Sequence, residues 1–218
     1  GDLDRRIGGD RVAIEREQPM ASAEIEYRLQ RHGVDAEGAE KASRFLQLCD
    51  AFDLPILSLT DTPGFMVGPE SDAQAAVRRM SSFFVAFASV TVPVVAIVLR
   101  KGYGLGAMAM TGGSFHTPVY IAAWPTGEFG GMGLEGAVKL GFKKELEAVQ
   151  DEDERQVLFD KLVAKMYEIG KATEAAAHLE IDAVIDPADT RPKIIQALRM
   201  LSNKRDTNPP KKHGNIPL

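Results

Sequence analysis

An α/β fold on a parallel sheet is predicted from two features of this chain. Short runs of Val, Ile and Leu, without polar alternation, are separated by segments of helical period. Strands of that kind are apolar on both faces and need helices on both, as parallel sheets have. In addition, a glycine-bearing loop follows each of three apolar runs. Loops at the carboxyl ends of strands are where open α/β sheets gather ligands.

The elements follow in order. Residues 1–33 are mostly charge and glycine and read as a terminal arm or linker, with a short helix possible over 22–31. From Asp35, Ala39, Ala42, Phe45, Leu46, Cys49 and Phe52 recur at three- and four-residue steps, an amphipathic helix. LPILSLT is a buried strand, closed by the turn Asp61-Thr62-Pro63-Gly64. Residues 74–89 form a second helix, whose Arg78 and Arg79 are either a phosphate contact or, more commonly for two exposed arginines, a solvated face. VPVVAIVLR, residues 92–100, is a second buried strand, and GYGLGAMAMTGG after it opens a helix of small residues. PVYIAAW, residues 118–124, is a third strand, closed by Pro125-Thr126-Gly127. Helices are expected over 134–140 and 151–171, the latter with Val157, Leu158, Leu162, Met166 and Ile169 inward. The acidic run from Glu145 to Glu154 reads as a solvated helix start. A short strand at 181–185 and a helix at 191–201 complete the fold, and the Pro-rich basic tail is extended.

Composition narrows the function. The 218 residues are 44% apolar and 26% charged, with net charge −5 and one cysteine. That suits one domain, or one domain plus an arm, with an ordinary core. Cys49 alone builds neither a disulfide framework nor a Cys-type zinc site, which points to a reducing compartment. No apolar run approaches the ~20 residues of a membrane helix. Residues 1–19 are charged throughout, unlike a signal peptide. The acidic balance argues against a general nucleic-acid binder. His32, His116, His178 and His213 form no metal-ligand spacing, and no G-x-S-x-G elbow is present. Ser114 and His116 are too close in sequence to argue a triad, and Cys49 sits on an apolar helix face as a core residue. Many glycines with few side-chain catalysts suggest chemistry done by backbone.

The sharpest local feature runs from Leu99 to Met108, where a strand becomes a helix across Gly102, Gly104 and Gly106. The first amides of such a helix have no internal partner and lie at the positive dipole end. They suit a phosphate or a developing oxyanion. The phosphate reading is weaker, because neither a Walker pattern nor a dinucleotide fingerprint is present. Glycines serving only tight strand–helix packing are the other reading. Asp61 to Glu70 makes a rigid strand-end loop in which Phe65, Met66 and Val67 are either a pocket wall or a hydrophobic plug. Trp124 to Gly133 is a third such loop, and the three together suggest one shared mouth.

AEGAEKASRFLQLCDAFDLPILSLTDTPGFMVGPE, TVPVVAIVLRKGYGLGAMAM, AAWPTGEFGGMGLEGAVKL and the tail KKHGNIPL resemble the carboxyltransferase component of biotin-dependent acyl-CoA carboxylases, of acetyl- or propionyl-CoA type. The resemblance covers residues 34–218 and only the C-terminal half of that family's usual chain. It implies a crotonase-like spiral of ββα units, with 34–218 as the carboxyltransferase C-terminal domain. It also implies transfer of CO2 from carboxybiotin to the α carbon of a short acyl-CoA, through an enolate held by two backbone oxyanion holes, one from each half. Carboxybiotin rides on a carrier protein and is not attached to this chain. By the same resemblance, Leu105 and Gly106 supply the amides of one hole. Thr62, Pro63, Gly64, Phe65, Gly68, Tyr103, Gly104, Gly131, Met132 and Gly133 line the acyl-CoA and biotin site. Leu105 stands where family members often have glycine, a change that matters for pocket size rather than for the amide. The implied partners are the N-terminal half or subunit, the biotin carboxyl carrier protein and biotin carboxylase, in a homo- or hetero-oligomer. The implied location is cytoplasmic, or the mitochondrial matrix in a eukaryote. Two other functions share these motifs: the carboxyltransferase of an acyl-CoA decarboxylase, and a non-catalytic assembly subunit.

Overall fold

A computed structural model describes residues 33–200. The possible helix at 22–31 and the extended tail lie outside the described residues. Helix α1 (Ala36–Ala51) leads to strand β1 (Ile56–Thr62), short helix α2 (Pro69–Ala73), helix α3 (Ala76–Phe87) and strand β2 (Val94–Tyr103). Helix α4 (Gly104–Met110) follows without a break, then strands β3 (Tyr120–Ala123) and β4 (Glu128–Gly130). Helices α5 (Leu134–Gly141), α6 (Lys143–Ala148), α7 (Glu152–Ile169) and α8 (Ala172–Ala177) precede strand β5 (Ala183–Val184) and helix α9 (Thr190–Met200).

The strands lie in the order β1-β2-β3-β5, all parallel, with β4 pairing the far end of β2. The central strand has the predicted character: Val94 to Val98 are all buried. Alternation along β2 sends Val94, Ala96 and Val98 to one face and Val95 and Ile97 to the other. The first face is covered by α1, α3 and α4 at one end and by α8 at the other. The second is covered by α9, whose Ile194 packs near Ile97, Trp124 and Ile185.

Strand β1 departs from expectation. It lies at the sheet edge, and Leu57 and Leu59 are 43% and 46% exposed. They pair in register with Val95 and Ile97, so they share the face on which α9 reaches β2 but leaves β1 open. Helix α1 departs likewise. Its inner line is Ala36, Ala39, Ser43, Leu46 and Cys49, whereas Phe45 and Phe52, expected inside, are exposed. Asp35 caps its start by accepting from the Gly38 N–H at 2.7 Å. Asp50 near its end accepts from the Thr91 and Val92 amides at 2.7 and 3.2 Å, which fixes the entry to β2.

Helix α7 is capped by Asp151, which accepts from the Glu154 N–H at 2.9 Å, and three acids follow in its first turn. None of its residues is fully buried. Leu158, Leu162 and Met166 face inward as expected, half-buried, but Val157 and Ile169 are exposed. Helices α2, α6 and α8 and strand β4 lie outside the expected elements. They are five, six, six and three residues long, too short to leave a periodic signature.

Candidate active site

The three glycine-bearing loops meet, as the shared-mouth expectation requires, and they meet through backbone. A Cβ placed on Gly106 would lie 2.5 Å from the carbonyl carbon of Gly64 and 2.8 Å from its Cα. A Cβ on Gly104 would lie 2.8 Å from the Gly131 carbonyl oxygen, and Gly104 has φ +58°, a left-handed conformation that glycine adopts without steric cost. The 64, 104–106 and 131 segments are therefore stacked with no room for a side chain between them. The packing reading of these glycines holds at Gly106 and Gly104. It does not compete with an amide site, because tight stacking also fixes where the amides lie.

The start of α4 lies inside this stack. Its N-cap is Tyr103, whose side chain makes no capping hydrogen bond, so the first helical amides are left without one. Gly106 is buried, whereas Leu105 projects outward, 60% exposed. The side chain that departs from the family pattern thus leaves the stack undisturbed. Gly131 and Gly133 have open space beyond their α carbons, and Met132 between them is 40% exposed.

Several residues expected at the ligand pack within the chain. Thr62 is fully buried, and its hydroxyl oxygen both donates to the Gly64 carbonyl at 3.1 Å and accepts from the Gly64 N–H at 3.2 Å. It shapes the turn at Pro63 and Gly64. Phe65 meets Phe84 edge-on at 6.1 Å between centroids and packs with Met66 against the core under α1 and α3, so the plug reading applies to both. Val67 alone of that trio is open, 86% exposed. Gly68, φ +119°, is the N-cap of α2. The Tyr103 side chain, expected at the cofactor, is 3% exposed and turned into the fold.

Residues outside the expected set hold the stack in place. Asp61 accepts from the Lys101 N–H at 3.0 Å and pairs with Arg100 at 3.1 Å, locking the end of β1 to β2 where their register shifts. The Tyr103 hydroxyl donates to Glu128 Oε2 at 2.7 Å. Burial, then the Glu128 hydrogen bond and charge, push the Tyr103 hydroxyl far above the ordinary tyrosine range. Tyr167 donates to Glu135 Oε1 at 2.8 Å and is itself pushed up to about 12, first by that hydrogen bond and then by burial. A charged Glu128 among the glycines of TGEFGG was the available signal, since carboxylates are uncommon in short inner strands.

Comparison with known proteins places this geometry. The carboxyl transferase domain family matches residues 6–216, a span that takes in most of the stretch expected as an arm. The carboxyltransferase subunit of propionyl-CoA carboxylase from Haloferax mediterranei is 38% identical over 214 residues, which is 98% of this chain and 39% of that protein. Among solved structures, a single-chain, multi-domain long-chain acyl-CoA carboxylase is 58% identical, with TM-score 0.67, over 75% of this chain and 16% of that one. Transcarboxylase 12S, a hexamer solved with methylmalonyl-CoA and methylmalonic acid bound, is 37% identical with TM-score 0.77, over 85% of this chain and 35% of that one. The fold is the crotonase-like α/β architecture of carboxyltransferase domains. The chain belongs to the carboxyl transferase domain family, and it spans about two fifths of the length of the curated relatives it matches.

Proposed function

We propose that this chain is the C-terminal half of a carboxyltransferase that moves CO2 between biotin and the α carbon of an acyl-CoA. The observation that carries the proposal is the uncapped start of α4, wedged between the Gly64 and Gly131 backbones in a member of this family. Removing the α proton of a thioester puts negative charge on its carbonyl oxygen. Amides fixed in advance stabilise that oxygen without reorganising, and one such donor is worth ~10²–10³ in rate. In this reading Leu105 and Gly106 supply the amides, and Gly68, Gly131, Met132 and Gly133 line the approach. Thr62, Pro63, Gly64 and Gly104 hold the turn in shape. Open space over Gly131 and Gly133 fits a bulky thioester or ureido ring. Carboxybiotin, delivered on a carrier protein, supplies the activated CO2 and a base for the α proton. An N-terminal half or subunit supplies the second hole, and biotin carboxylase charges the carrier. A cytoplasmic or matrix setting accompanies that cofactor chemistry and the lone Cys49. The carboxyl donor offered sets the direction: an α-carboxylated acyl-CoA drives the same machinery toward biotin.

The acyl chain is a second question. The resemblance implies a short acyl group, but 58% identity to a long-chain carboxylase over 75% of this chain, beside 38% to a propionyl-CoA enzyme over 98% of it, favours a long one. Val67, Leu105 and Met132, one from each loop, offer exposed apolar surface for it.

The test is transfer of labelled carboxyl from carboxybiotin to acyl-CoAs of two to sixteen carbons by the full-length protein. Transfer that rises with chain length is the expected result. No transfer in either direction by folded protein overturns the proposal, and a preference for acetyl- or propionyl-CoA overturns the long-chain part alone.

A further inference from the structure

Tyr103 ends β2 and begins α4, so it stands at the hinge of the amide-bearing turn. Asn, Asp, Ser or Thr at an N-cap would accept from the first amides. Tyrosine here makes no such bond and sends its hydroxyl to Glu128 on β4 instead, 2.7 Å away. The bond runs diagonally over the β2–β4 ladder, since Tyr103 is in register with Gly130 and Glu128 with Lys101. Strand β4 is itself braced from behind. The Phe129 N–H donates to the Gly170 carbonyl at 2.7 Å and the Ala172 N–H donates to the Gly127 carbonyl at 2.9 Å, which pairs the Glu128 backbone with that of Lys171. Glu128 is therefore a fixed post. Tyr103 stays protonated throughout the working pH range, so its donor is never lost. Charge-assisted O–H···O⁻ bonds are about twice as strong as neutral ones.

We propose that Tyr103 and Glu128 are positioning residues: their bond holds the turn at residues 103–106 where its amides meet the enolate oxygen. This rests on the carboxyltransferase reading above.

The test uses the full-length protein with its carrier. Tyr103→Phe is expected to lower kcat per folded enzyme by about 10- to 100-fold, since misplacement by about 1 Å costs that much, with KM for acyl-CoA little changed. Glu128→Ala is expected to match it, and the double variant to be no worse than either single one. Glu128→Gln keeps an acceptor and is expected to recover most of the rate. A second arm does not depend on the reaction: amide exchange in peptides covering 103–110 is expected to be faster in Tyr103→Phe than in the wild type. If the wild type transfers no carboxyl, the functional reading falls and the exchange arm alone decides the positioning role. Wild-type kcat in folded Tyr103→Phe, or unchanged exchange, overturns the proposal. Should Tyr103→Phe fail to fold, Tyr103→Phe with Glu128→Leu removes both polar partners and undergoes the same measurements.

Discussion

The loop cluster at the end of β2 and the helical arm α5–α7 are built on opposite terms. In the cluster, backbone touches backbone: a methyl group on Gly106 would collide with the Gly64 backbone, and one on Gly104 with the Gly131 carbonyl. In the arm, α7 has no fully buried residue, and α5 meets it through Lys139 over the Phe159 ring and Glu135 at the Tyr167 hydroxyl. The difference teaches where tolerance lies. A site made of amides needs its backbone located to a fraction of an ångström, and close packing supplies that location. An arm with one packed side supplies only cover.

The largest effect expected from this contrast is at Gly106. Gly106→Ala puts a Cβ 2.5 Å from backbone that has no flexible end to move aside, so the two loops must separate. We expect a loss of about 3 kcal/mol, the upper part of the usual overpacking range, read as a shift of the urea midpoint. A midpoint unchanged from wild type would show that the cluster is looser than its contacts indicate.

A smaller effect is expected where the arm touches the cluster's flank. The Glu135 carboxyl is held below its usual range, first by its own backbone N–H and then by the Tyr167 hydroxyl. A depressed folded-state value stabilises the fold at pH above the unfolded value. That contribution disappears as pH falls through the folded one. Glu135 is solvent-exposed, so screening keeps the contribution below about 1 kcal/mol. Tyr167→Phe should move the Glu135 titration toward the ordinary carboxylate range in an NMR titration. An unmoved midpoint would leave the backbone N–H and the charges of Lys101 and Lys139 as the causes.

The smallest effect belongs to the arm's outer side. Val157 is 69% exposed, and Val157→Ser should change stability by no more than about 0.5 kcal/mol in thermal unfolding. A loss several times larger would mean that this side is covered in the intact protein, and the contrast would then be one between two buried regions.

These regions also differ in how far they were legible in the sequence. Strand β2 was, because five consecutive buried apolar residues have no other economical structure. The convergence of three loops was legible too, because each follows a strand of one parallel sheet. The inside and outside of α1 and α7 were not. Phe45, Phe52, Val157 and Ile169 fit a helical period, but period alone does not say how wide a face the neighbouring elements will cover. Thr62, Phe65 and Tyr103 belong to the motifs, and that membership alone makes them candidate ligand contacts. The structure turns each inward, and a motif residue that shapes a loop looks the same in sequence as one that touches a ligand. The Tyr103–Glu128 bond joins residues 25 positions apart: the charge in TGEFGG marks Glu128, but no local pattern names Tyr103 as its partner.

The edge position of β1 has a practical consequence. Natural edge strands are commonly blunted by Lys, Pro or a bulge, devices that keep one sheet from growing onto another. From Ile56 to Thr60, β1 has no Lys and no Pro, its register shift comes only at its far end, and its leucines stand on the open face. Among the described residues it pairs only with β2. A fragment of residues 33–200 made alone would therefore be a poor solute, whatever its folding free energy. Its tendency to precipitate would measure how much of that surface the remaining residues conceal.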